Sequence, residues 1–165
     1  MNKKFTAAVV SALITVTAFS AQGLSSITAK QAAAEASKKQ SAQESVDYLK
    51  GVTSAMTNGA EKRSLLAFLA SVQEQMGLYE DARNSYAAAA GIAAGDADGM
   101  TPKSSEQLVL DAVRCALSSG DSDTADSFLN SAVRNSKDET VQAYIKLYAQ
   151  WSALCRAESV ENLAE

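Results

Sequence analysis

The sequence predicts an all-α chain built from antiparallel helix hairpins, and three observations predict it. Apolar residues recur at three- and four-residue steps, the spacing that gives a helix one buried face. Small residues, chiefly alanine, return in matched places on successive segments, where two helix backbones can approach closely. A glycine stands at the centre of each of two helix pairs, Gly77 and Gly120, where the chain has to reverse.

The elements follow in chain order. Met1-Asn2-Lys3-Lys4 precedes an uncharged apolar run over 5–19 and then small and polar residues, the layout of a secretory signal peptide over 1–20. Ala18 and Ser20 place cleavage after Ser20, with Ala21 and Gly23 as an alternative pair. A bilayer crossing needs about 20 apolar residues, and this run is short and diluted by Thr6, Ser11, Thr15 and Thr17. The expected location is therefore periplasmic or secreted, with no stable membrane insertion after cleavage. Residues 21–42, rich in Ala, Ser and Lys, carry Ala29, Ala32, Ala33 and Ala36 on one stripe without a large apolar anchor, and read as a mobile tether or a loosely docked helix. The helical domain is expected over 43–165. It opens with Val46, Leu49, Val52 and Met56 on one face, and Asn58-Gly59 is expected to stop that first helix.

A hairpin follows, with Leu66, Leu69 and Ala70 on its first helix, Gly77 at the turn, and Ala82, Tyr86 and Ala89 on its second. Val109, Ala112, Val113 and Ala116, then Gly120, then Ala125, Leu129 and Ala132 repeat the pattern in register. Tyr144, Leu147, Tyr148 and Trp151 begin a third copy, in which Val160 takes the place of Ala82 and Ala125. These segments resemble tetratricopeptide repeats, units of about 34 residues built as helix, turn, helix. The resemblance implies a short right-handed solenoid with copies near 63–94, 106–138 and 141–165. Gln73 departs from the repeat pattern, the usual late proline is missing at Ala94, and an inserted loop over 91–105 holds Gly95, Gly99 and Pro102.

Composition removes several kinds of chemistry. The 165-residue chain has a formal net charge of −4, and loss of Lys3 and Lys4 with the leader makes it more acidic, so neither nucleic acid nor anionic lipid is an expected partner. There is no histidine, which excludes Ser-His and Cys-His catalysis and most zinc sites. Asp96-Ala97-Asp98-Gly99 and Asp121-Ser122-Asp123 lack the full ligand set of a calcium loop and read as a turn and a helix cap. Cys115 and Cys155 read either as a disulfide or as two buried thiols, the second being favoured. No catalytic residue, metal or cofactor is expected, and the protein is not read as an enzyme. Trp151 and Tyr148 are expected in the core, with a stacking platform as the other reading.

In the family that the repeats resemble, the first helices line a concave groove. Carried onto this chain, the groove residues are Ser71, Glu74 and Gln75 in the first copy, Gln107, Leu110, Arg114 and Leu117 in the second, and Gln142 and Ile145 in the third. Arg114 is expected to take a carboxylate, and Leu110, Leu117 and Ile145 to accept apolar side chains. The functional expectation is an exported bacterial scaffold that binds a protein or peptide of the cell envelope. The run 143–155 also resembles spirochaete envelope proteins in which such helices precede a sporulation-related, peptidoglycan-binding domain. An accessory protein holding a small hydrophobic solute for a transporter is the alternative.

Overall fold

A computed structural model describes residues 27–97, 100 and 103–163, with side chains described through 158 apart from Ala132. The leader, its cleavage site, Asp98, Gly99, Pro102 and the side chain of Val160 lie outside the described residues. Within them the protein is all-α. Its helices are α1 (Ala29–Ala36), α2 (Ala42–Ala55), α3 (Gly59–Gln75), α4 (Tyr79–Ala90), α5 (Ser105–Ser118), α6 (Ser122–Phe128) and α7 (Glu139–Leu163), with one turn of π-helix, Leu129–Val133, continuing α6. Most packing is between chain neighbours, α3 on α4 and α4 on α5 above all, an arrangement compatible with a helical repeat.

The alanine-rich stretch supplies α1. Thr28 caps it, accepting from the Gln31 amide at 3.2 Å while Gln31 Oε1 accepts from the Thr28 amide at 3.0 Å. The Ala29 amide donates to Glu61 Oε2 at 2.5 Å, so a carboxylate of α3 sits at the positive end of α1. Ala29, Ala32 and Ala36 are buried against α2 and α3. Methyl-sized side chains let this helix lie close without the large anchor that a looser contact would need.

Val46, Leu49, Val52 and Met56 form the buried face of α2 as their spacing predicts. Asn58-Gly59 plays a different part from the expected stop. Met56 already leaves the helical conformation, with ψ at 132°, and Asn58 begins α3 by accepting from the amides of Ala60 and Glu61 at 3.0 and 3.3 Å. A side-chain acceptor satisfies free amides at a helix start, and the left-handed role belongs to other glycines. Gly77 has φ of +74° and Gly120 of +80°. At each, paired backbone bonds close the preceding helix: Leu78 to Gln73 and Gly77 to Glu74 after α3, Asp121 to Ala116 and Gly120 to Leu117 after α5.

The matched small residues whose side chains are described face inward. Ala70, Ala82, Ala89, Ala112, Ala116 and Ala125 are fully buried, Tyr86 and Leu108 fill the space beside the first four, and Leu69 packs on the other side against α1 and α2. Gln73 is buried as well, despite its polarity, because its Oε1 accepts from Ser85 Oγ at 2.7 Å.

Leu129 is buried as expected, and Val133, at the end of the π-turn, is fully buried with it, while the side chain of Ala132 lies outside the described residues. On α7 the buried residues are Val141, Tyr148 and Ser152, with Ile145 partly covered. Tyr144, Leu147 and Trp151, expected in the core, are 46, 53 and 36% exposed, and Leu154 is 64% exposed. The third copy's turn is also absent, since α7 continues unbroken through the place where its second helix was expected to begin. No glycine stands between Glu139 and Leu163 to supply that reversal.

Candidate binding cleft

A cleft of about 430 Å³ opens between α5 and α7, the first helices of the second and expected third copies. Gln107, Leu110 and Arg114 line its α5 side with Asp111, and Thr140, Tyr144 and Tyr148 line its α7 side. Lys103 stands at its rim and also borders a second, smaller cleft between α3 and α5 that holds Ser64, Ala67 and Ser71. The capping box at Ser104, whose Oγ accepts from the Gln107 amide at 3.1 Å while Gln107 Oε1 accepts from the Ser104 amide, fixes where α5 begins.

The charged groups of this surface are spent on one another. Arg114 donates from Nε to Glu74 Oε1 and from Nη2 to Glu74 Oε2, both at 2.8 Å, and lies 3.1 Å from Asp111 Oδ1. Lys103 Nζ pairs with the other Asp111 oxygen at 2.5 Å and stands 5.4 Å from the centre of the Tyr86 ring. Tyr86 Oη donates to Glu74 Oε2 at 3.2 Å. Burial opposes the charge on Arg114, but the Glu74 hydrogen bond and the charges of Asp111 and Glu74 outweigh it and raise the guanidinium further. Burial, reinforced by Asp111 and Glu74, pushes the Tyr86 phenol up, and burial likewise raises Tyr148. The four charges sum to zero.

Other expected groove residues lie elsewhere. Leu117 is buried in the core with Val113, Leu129 and Val133 because it falls on the α6-facing side of α5. Gln142 donates to the Ser136 carbonyl at 2.7 Å, and Ile145 packs against the core on the side of α7 that it shares with Val141 and Tyr148, so neither lines the cleft. Gln75 is exposed at the end of α3, its only described side-chain bond a 3.4 Å contact to Ser71 Oγ. Arg114 does not offer a free fork for a ligand carboxylate, because Glu74 fills it.

Cys115 is a free buried thiol packed with Ala70, Ala82 and Ala112, and it is not bonded to Cys155. Burial pushes it up to about 12, so it behaves as a small apolar side chain.

Sequence reading missed Arg63. It is 2% exposed, and its Nη1 donates to the Ala89 carbonyl at 3.1 Å, to the Ile92 carbonyl and to Ser105 Oγ at 3.1 Å, while Nη2 donates to the Lys103 carbonyl at 2.8 Å. One guanidinium thus ties the end of α4 to the start of α5 and closes the loop over 91–104 beneath the smaller cleft. The available signal was its phase, because Arg63 shares a helical stripe with Leu66, Ala70 and Gln73.

No family model, curated protein or solved structure matches the chain.

Proposed function

We propose that this chain is an exported bacterial scaffold whose hairpins form a short tetratricopeptide-like, right-handed solenoid. Its concave face holds a protein or peptide partner of the cell envelope, after removal of the leader over 1–20. The carrying observation is the open cleft lined by Gln107, Leu110 and Tyr144, which α5 and α7 leave uncovered while the buried alanines of α3 to α6 pack the interior. Hydroxyls, amides and half-covered apolar surface suit a peptide backbone and its side chains better than they suit a reacting substrate. The larger assembly with a peptidoglycan-associated domain belongs to the same proposal.

The test places a photo-crosslinking residue at Gln107, in the cleft, or at exposed Ser131, on the side of the π-turn, in the full chain expressed in bacterial cells. A discrete envelope protein captured from Gln107 and not from Ser131 is the expected result. Equal capture from both positions, or none from Gln107, would overturn the reading. Export is checked separately, by fractionation and by the N-terminal residue of the mature protein, expected to be Ala21.

A further inference from the structure

We infer that the cleft and the exposed side of α7 form one surface, and that its occupant is an amphipathic helix of a partner protein whose contacting face is uncharged. This rests on the concave-face reading and specifies the partner.

Tyr144, Leu147, Trp151 and Leu154 are three, four and three residues apart, the spacing that lines up side chains along a helix for contact with another helix. The stripe runs ~15 Å along α7. Tyr144 belongs to both surfaces, standing at the head of the stripe and in the wall of the cleft. Tyr148 packs beside it, ring centres 5.8 Å apart, and lies 6.3 Å from Trp151. A helix following the stripe would therefore deliver one large side chain into the cleft at its end. Its contacting face has to be uncharged, because Lys103, Asp111, Arg114 and Glu74 already satisfy one another, and a new charge there would lose water without gaining a counter-ion.

The area separates this occupant from a second copy of the chain. With large side chains of roughly 150–250 Å² each and exposures of 36 to 64%, the stripe offers on the order of 400 Å², about half of the ~800 Å² each partner contributes to a stable interface. Two copies laid stripe to stripe would bury only that much and leave both clefts empty. A partner helix reaching into the cleft covers both.

Trp151 is the sole tryptophan, so its emission reports directly on occupancy. The test selects binders of the full chain from two peptide libraries, one displayed on a helical scaffold and one unconstrained, and titrates the winners against wild type, Leu147→Asp/Leu154→Asp and Gln107→Arg. The substituted side chains are exposed, and circular dichroism checks that both variants fold. The expected result is helical binders with an uncharged apolar face that shift Trp151 emission to the blue and bind the Leu147→Asp/Leu154→Asp protein about tenfold or more weakly. Extended binders lost with Gln107→Arg but unaffected by Leu147→Asp/Leu154→Asp would overturn the helical occupant while leaving the concave-face reading standing. Binders indifferent to both variants, or none at all, would overturn both. Sedimentation showing a dimer that Leu147→Asp/Leu154→Asp dissolves would overturn the proposal in favour of a second copy.

Discussion

Arg114 and Glu74, forty positions apart in the chain, meet through two parallel hydrogen bonds of 2.8 Å that join α5 to the end of α3. The pair is neither fully exposed nor fully buried, with Arg114 and Glu74 side chains 36 and 24% accessible. Its coupling should fall between those of exposed and buried pairs, about 1–2 kcal/mol in a double-mutant cycle of Arg114→Ala and Glu74→Ala followed by urea unfolding. Additive effects of the two substitutions would mean that the pair contributes no coupling.

Arg63 has no such latitude. Arg63→Met removes the donor shared by the Ala89, Ile92 and Lys103 carbonyls and should cost about 3–5 kcal/mol. Arg63→Lys should recover little of this, because a single ammonium cannot span the same acceptors. Equal stability of Arg63→Lys and wild type in urea would show that the clasp is dispensable.

The two turn glycines are needed for backbone conformation, since a Cβ at either would meet nothing within 4 Å. Gly77→Ala and Gly120→Ala should each lose about 1–2 kcal/mol from the positive φ alone. Gly91, with φ of −73°, provides the control, and Gly91→Ala should stabilise by about 0.4–1 kcal/mol. Thermal melts of the three variants check the order.

Asp121 accepts from the Thr124 amide at 3.0 Å and from Arg83 Nη1 at 2.6 Å. The Thr124 hydrogen bonds, with Arg83 adding to them, hold its carboxyl below the usual carboxylate range. A depressed folded value means that the carboxylate stabilises the fold above its unfolded pKa, about 3.9, and that this contribution disappears as pH falls through the lower folded value. The melting difference between wild type and Asp121→Ala should therefore be full at neutral pH and shrink below about pH 4. A difference that grows on acidification would reverse the sign of this argument.

Cys115 should resist thiol reagents until the whole domain opens, given its burial and its raised thiol value of about 12. Modification of the native protein followed by peptide mapping should therefore find no label at Cys115. Labelling there in the native state would show that α5 opens locally.

How much of this was legible in the sequence depended on what the periodicity measured. Alanines at 70, 82, 112 and 125 read correctly because only a small side chain suits a close crossing, and the two turn glycines read correctly because a left-handed residue must end each hairpin's first helix. Tyr144, Leu147 and Trp151 misled for a related reason. Helical spacing shows that apolar residues share a side of a helix, and it does not show whether that side meets the interior or a partner. The π-turn at Leu129–Val133 was invisible, since a wider helical turn leaves no compositional mark. Of the expected groove residues, Gln107, Leu110 and Arg114 line the cleft between α5 and α7. Ile145 packs on the core and Gln142 bonds the Ser136 carbonyl instead, because spacing along α7 does not show how the helix is rotated against its neighbours. Glu74's hold on Arg114 lay beyond sequence reasoning because it joins different hairpins.

Because most of the packing joins helices that follow one another in the chain, strength passes along the molecule largely link by link. The middle links, α4 and α5, are braced on both sides, whereas the outer links have fewer supports. Amide hydrogen exchange should consequently be slowest at the centre and quicken toward both ends, so that the proposed docking helix α7 opens more readily than the pieces that carry it.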